Sequence, residues 1–204
     1  MSLELWLAWI ATLSAMSFSP GTGVAVVLST AMASGGRRAW PLVLGMQVPL
    51  LMYALIVSLG MSAMMRHGPV FAVIKWAGVA YLAWLGLRSL FARPVIAPDA
   101  QRGARQDGWT RFSEGFIVNA TNPKIVVFMA AMFPLFVRPD APIAPQLLIL
   151  CATLFAIDIV VMMGYAHLAA TLVRWMKDPR HLAWLNRIIG AWFIVLAALL
   201  ATEF

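Results

Sequence analysis

Charge is scarce in this chain. Only 11% of its 204 residues are Asp, Glu, Lys or Arg, against about 25% in a soluble domain. The deficit falls in long blocks: no charge occurs from residue 5 to 36, or from 39 to 65. Both blocks exceed the roughly 20 apolar residues that cross a bilayer. With 62% hydrophobic residues and a mean hydropathy of +0.85, a soluble globular fold is excluded and a polytopic membrane protein is expected. Cysteine is nearly absent. Cys151 alone excludes an intrachain disulfide and paired-thiol redox chemistry; it reads as a small buried hydrophobe. No G-x-x-x-x-G-K-[ST] motif occurs, so direct ATP coupling within this chain is excluded. His67, His167 and His181 stand near segment ends without ligand spacing. The 13 methionines are ordinary in core and lipid-facing positions. No metal or other cofactor is therefore expected.

Acidic residues are also few, 8 against 15 Lys and Arg, giving a net charge of +7. In a soluble protein that balance would suggest nucleic acid. Here it reads as cytoplasmic loops facing anionic lipid, with no nucleic-acid partner.

What is present is six hydrophobic segments, at about 3–33, 40–65, 69–91, 111–137, 143–173 and 182–203. None alternates with period two, so helices are expected rather than barrel strands. The start of the chain does not read as a cleavable signal. It lacks a basic n-region, carries Glu4, and continues into too long an apolar run. The only linker-like stretch is 92–110, rich in Pro, Arg, Asp, Gln and Gly. It divides a single transmembrane domain (1–204) into two three-helix repeats, about 3–91 and 111–203.

Eleven basic residues cluster on one side. They are Arg37 and Arg38; Arg88, Arg93, Arg102, Arg105 and Arg111; and Arg174, Lys177, Arg180 and Arg187. The other side has only Arg66 and Arg138. The positive-inside rule makes the first side cytoplasmic and both termini periplasmic. Trp6, Trp9, Trp40, Trp109, Trp175 and Trp184 fall near segment ends, as interfacial anchors do.

Segments one and four each contain a break signal. In segment four, Asn119 precedes Asn122-Pro123-Lys124. Proline interrupts a continuous helix, and Asn followed by Pro reads as an N-cap and first helical position. In segment one, Ser19-Pro20 repeats that signal and Gly21-Thr22-Gly23 follows, the glycines weakening the helix further. Segment one covers 31 residues, about 46 Å of helix against a hydrocarbon core of about 30 Å, so it is long enough to be broken. Each half has an odd number of segments, so the halves are inverted in the membrane. The second pieces, starting at Pro20 and Pro123, would then face each other near mid-membrane. Each would present unpaired N–H groups and about half a positive charge, a place for an anion such as a carboxylate. Matched interrupted helices in inverted halves point to a transporter's substrate site.

Four stretches also carry a family resemblance: S-P-G at 19–21, G-R-R-A at 36–39, G-V-A-Y-L-A-W-L-G-L-R at 78–88, and N-P-K with a following Phe at 122–128. Together they resemble the lysine exporter (LysE/RhtB) superfamily, over the whole chain. The resemblance implies six transmembrane helices and amino-acid efflux across the bacterial inner membrane, commonly coupled to the proton gradient. One departure stands out. The family usually has P-G-P, whereas this chain has Pro20-Gly21-Thr22, which removes a constraint on the kink and adds a hydroxyl.

Three charges lie within segments: Lys75, Lys124 and Asp158. Each requires a partner or a wet cavity, because insertion of a charge costs about 2.5–3.5 kcal/mol. Asp158 is the candidate for proton coupling, since a carboxyl balanced between apolar surroundings and a nearby ammonium can take up and release protons. It could equally accept the substrate's ammonium or form a fixed ion pair with Lys124. Lys124 could attract a substrate carboxylate or serve only as that counter-ion. Lys75, within two turns of a segment end, is expected to snorkel. Arg111 and Glu114 are expected at the interface.

Tyr165, seven residues beyond Asp158, shares its helical face and either reaches the site or lines the core. Gln47 either lines the path or bridges helices. The amide of Asn119 could satisfy backbone groups freed by Pro123. Ser17 with Gly21, and Ala197 with Ala201, form small-xxx-small pairs that allow close packing, the latter within the chain or in a homodimer.

The substrate-binding set expected from these residues is Ser19, Pro20, Gly21, Thr22, Gly23, Gln47, Asn119, Asn122, Pro123, Lys124 and Tyr165, with Asp158 coupling protons. The expected function is export of a small amino acid or derivative by proton antiport with alternating access. A cation or metal exporter would need more than one mid-membrane carboxylate. A membrane-embedded hydrolase would need Ser17 or Ser19 with His167, but the chain has no nucleophile-elbow motif.

Overall fold

A computed structural model describes residues 2–64, 68–91, 106–138, 141–176 and 178–202, with side chains at 61–72, 74 and 75 outside the description. Arg66, Arg93, Arg102, Arg105, Lys177, Met65 and His67, and the side chain of Lys75, therefore lie outside the described residues. Among the described residues the chain is all helical, as expected.

The breaks in the helices follow from local chemistry. Helix α1, Leu3–Phe18, begins at Ser2, whose side chain accepts from the Leu5 N–H. It ends at Ser19, which adopts an extended conformation. The residue before a proline is pushed out of the helical region, and here that residue precedes Pro20. Helix α2, Thr22–Ser34, then starts two residues beyond Pro20 and ends at Gly35 with φ +89°, a left-handed value that glycine tolerates. Ser19 is thus the C-cap of α1, and Gly21 rather than Ser19 is the N-cap of α2. The axis bends 60° between α1 and α2.

A 3-10 turn (Gly36–Ala39) leads into α3, Trp40–Met64, which contains Pro49. Helix α4, Gly68–Phe91, completes the first half. Helix α5, Gly108–Ala120, starts inside the expected linker, where the Asp107 side chain accepts from the Thr110 N–H. Helix α6, Pro123–Met132, begins as the sequence suggests. Pro123 takes the first position, and the Asn122 side chain accepts from the Lys124 N–H at 3.1 Å. The bend between this pair is 58°. Helix α7 is Ile143–His167, α8 is Ala169–Met176, and α9 is Pro179–Thr202. The expected fifth segment therefore ends at His167, with a break at Leu168 before short α8.

Three stretches, Gly36–Gly60, Ile143–His167 and Pro179–Thr202, are each long and apolar enough to cross a membrane. The two bent pairs qualify as spans together, giving up to five by this criterion among the described residues. The segment expected near 69–91 is helix α4. The chain is a multi-pass membrane protein, and its outer surface agrees. Val160 is 71% exposed and Leu148 72%, while Asp158 on the same helix is 9% exposed. That arrangement would be inside out in water and suits a lipid-facing helix.

Packing pairs one span from each half. α3 lies along α5, α4 along α9, and α7 along α1 and α2. At the α3–α5 seam, backbones touch across Gly45 and Gly115. A Cβ on Gly115 would stand 2.0 Å from the Leu42 carbonyl oxygen. Gly86 and Gly190 do the same for α4 and α9. Without a side chain, glycine lets two helix backbones approach to contact.

Trp9 is fully buried, not interfacial as expected. It packs against Phe128, Phe133 and Phe136 and donates to the Leu150 carbonyl at 3.1 Å. Arg111, in the first turn of α5, is buried; its Nη1 donates to the Arg38 carbonyl. Ala197 is buried within the chain's own core, and Ala201 packs against it.

Candidate functional site

The two breaks meet. Asn122 Nδ2 donates to Thr22 Oγ1 at 3.4 Å, and Lys124 Nζ donates to the Ser19 carbonyl at 3.4 Å. Residues around 100 positions apart are thereby joined at the two points where helices stop and restart.

Beside this junction lies a cavity with an open volume of about 70 Å³, room for roughly five waters. Ser17, Ser19, Gly21, Gly23, Asn119, Asn122, Lys124 and Asp158 give it a polar side, and Met46, Phe128, Met129 and Leu154 are among its apolar walls. Seven of the twelve residues expected at the site therefore line one cavity. The other five do not. Thr22 and Pro123 are exposed, because the first turns of α2 and α6 direct them outward. Pro20 shapes the turn. Gln47 and Tyr165 are outside the lining and hydrogen-bond to Asp158 and to the Phe18 carbonyl respectively.

Asp158 is held from both sides. Gln47 Nε2 donates to Oδ2 at 2.7 Å, and Ser17 Oγ donates to Oδ1 at 3.3 Å. Hydrogen bonds to the ionised form favour it, offsetting part of the cost of burying a carboxylate. Gln47 Nε2 also reaches the Val43 carbonyl, whereas its Oε1 is buried with no hydrogen-bond partner among the described residues. Ser17 and Gly21 do not form a helix-packing pair. α1 ends between them, leaving Ser17 to serve the carboxylate.

No ion pair joins Lys124 and Asp158 among the described residues. Lys124 turns to the Ser19 carbonyl and Asp158 to neutral donors. Helices α6 and α7 put the two charges on the same cavity, each with its own partners.

Asn119 is buried, and its Nδ2 donates to the Met46 carbonyl on α3 at 2.9 Å. It ties two helices together, instead of repairing its own helix as expected. Tyr165 donates to the Phe18 carbonyl at 3.1 Å, and Tyr53 donates to the Ala120 carbonyl at 2.7 Å. Sequence reasoning missed Tyr53 and the role of Ser17. A polar residue in an apolar run was the available signal for both, but its partner lies far along the chain. His167 Nδ1 bonds the Met163 carbonyl of its own helix, so it has a partner other than Ser17 or Ser19.

A family model described as LysE type translocator matches residues 14–204. A homoserine/homoserine lactone efflux protein of Salmonella typhi is 37% identical over 204 residues, covering 99% of this chain and 98% of that protein. A membrane protein of Vibrio cholerae is 34% identical over the same share of each chain. A leucine efflux protein of Enterobacter sp. (strain 638) is 27% identical over 186 residues, covering 90% of this chain and 88% of that one. No solved structure matches the chain.

Proposed function

Since the chain belongs to the LysE type translocator family, we propose that it exports a small zwitterionic amino acid or derivative by proton antiport. Relatives named for homoserine and leucine efflux support an amino-acid exporter over an enzyme. The observation that carries the reading is the pair of opposite charges, Lys124 and Asp158, lining one cavity without pairing. A zwitterion complements that arrangement. Its carboxylate meets Lys124 and the electropositive starts of α2 and α6, and its ammonium meets Asp158. The apolar wall receives the side chain.

Coupling follows from having one carboxylate for two cations. Ionised Asp158 binds the ammonium; protonated Asp158 releases it. A proton entering from outside therefore displaces the substrate outward. Loss of that proton to the cytoplasm resets the site. Access alternates as the two inverted repeats, about 3–91 and 111–203, joined by a cytoplasmic linker, move about the cavity. Six spans, basic loops inside, and both termini in the periplasm of a bacterial inner membrane complete the arrangement.

Efflux from preloaded proteoliposomes tests this across a panel of amino acids, with and without an imposed pH gradient. Efflux of at least one zwitterion should accelerate when the outside is acidified. Asp158→Asn should remove that acceleration. The variant should remain folded, because the Gln47 amide can turn over and offer its unpartnered Oε1 to the new N–H donors. A charged hydrogen bond is worth about 1.5–3 kcal/mol, so ammonium binding should weaken roughly ten- to a hundred-fold. Efflux indifferent to pH in the parent protein would refute proton coupling.

A further inference from the structure

Each break leaves a carbonyl without its helical partner. In unbroken helices the Phe18 carbonyl would accept from the N–H of residue 22, and the Ala120 carbonyl from that of residue 124. The α1–α2 bend removes the first bond. At the second, the Lys124 N–H bonds the Asn122 side chain instead. Both stranded carbonyls are taken by tyrosines. Tyr165 on α7 donates to Phe18 O, and its ring meets the Phe18 ring edge-on with centroids 6.3 Å apart. Tyr53 on α3 donates to Ala120 O. The pattern is crosswise: each tyrosine belongs to the long span following the break in one half, and serves the break of the other half.

We infer that Tyr53 and Tyr165 are a matched pair of positioning residues that fix the broken helix ends around the site. The inference rests on the reading that the breaks form the substrate site, and it assigns those residues two effects. First, each phenol anchors the backbone immediately before α2 or α6, so the electropositive starts of those helices keep their aim into the cavity. Second, each phenol supplies the donor that the break takes from a backbone carbonyl, so that carbonyl is not left unsatisfied. A phenol does both as a neutral donor, adding no charge beside Lys124 and Asp158.

The test uses Tyr53→Phe and Tyr165→Phe, each losing one hydroxyl, in the full-length protein in proteoliposomes. Trp6→Phe is the control. It removes another bond between the halves, Trp6 Nε1 to Thr153 Oγ1 at 3.0 Å, on the same α1–α7 seam but away from the break. Amide hydrogen exchange without substrate is the first readout. Tyr165→Phe should raise exchange in peptides covering 18–24, and Tyr53→Phe in peptides covering 120–126, each at least roughly fivefold. Trp6→Phe should leave both windows unchanged. Unchanged exchange in the tyrosine variants, or an equal rise with Trp6→Phe, would overturn the assignment. The second readout is efflux of L-homoserine and L-leucine. For any probe the parent exports, KM should rise in the tyrosine variants and not in Trp6→Phe. A parental KM in both tyrosine variants would also overturn it. Because exchange needs no substrate, its result stands apart from the Asp158→Asn experiment, whose failure would instead remove the site reading.

Discussion

Replacing Gly115 with alanine puts a methyl group where the backbone of α3 already stands. The new Cβ would lie 2.0 Å from the Leu42 carbonyl oxygen and 3.1 Å from the Met46 nitrogen. Ordinary contact begins at 3.4 Å, so α5 must move from α3 by about 1.4 Å. One turn further along α5, Asn119 Nδ2 sits 2.9 Å from the Met46 carbonyl. That bond cannot survive such a displacement, since reach ends near 3.2 Å. Overpacking costs about 1–3 kcal/mol, and the buried Asn119 amide left unpaired costs about 1–3 kcal/mol more. Alanine's helix preference returns about 0.5–1 kcal/mol. The net loss is roughly 1–5 kcal/mol. Gly164→Ala is the matched control, because a Cβ there meets nothing within 4 Å and should stabilise by about 0.5–1 kcal/mol. Thermal unfolding in detergent, followed by tryptophan fluorescence, should order the proteins as Gly164→Ala, parent, Gly115→Ala. Efflux should fall only in the last. If Gly115→Ala is as stable and active as Gly164→Ala, the close glycine seam does not hold the site together.

Two further outcomes are expected. Hydrogen bonds from the Thr110 hydroxyl and N–H hold the exposed Asp107 carboxyl below its usual range. The capping stabilisation is therefore complete above the unfolded value of about 3.9 and is lost as pH falls through the lower folded value. Exchange protection at the start of α5 should stay flat from neutral pH to about 5, fall in more acidic solution, and lose that dependence in Asp107→Asn. Topology can be read by cysteine labelling in a Cys151→Ala background. A cysteine at Ser2 should react with an impermeant maleimide from the periplasm, and one at Asp107 should not; the reverse pattern would overturn the orientation and with it the direction of export.

Much of the fold was legible because its causes are local. Uncharged blocks mark spans whatever their neighbours do. Asn122-Pro123 starts α6 as its chemistry demands. Ser19-Pro20 breaks segment one, but α2 waits until Thr22. The side-chain cap seen at Asn122 is missing there, and Gly21, which has no side chain, takes the cap position. Trp9 shows a limit of position-based reading. Its place near the start of a segment suggested the membrane interface, but three phenylalanines from the other half enclose it.

The partners of Asp158 were not legible. Charge alone made Lys124 the natural counter-ion; the carboxylate is held instead by Ser17 and Gln47, 141 and 111 residues away. Likewise, nothing near Tyr53 in sequence announces the Ala120 carbonyl, 67 residues on. The amino-acid order by itself determined which stretches are apolar enough to span a membrane and where the first and fourth of them break, because each depends on a few adjacent residues. Only the tertiary structure decided which groups meet across the breaks. Those contacts depend on the register at which glycine seams let helices from opposite halves approach, and no local pattern encodes that register.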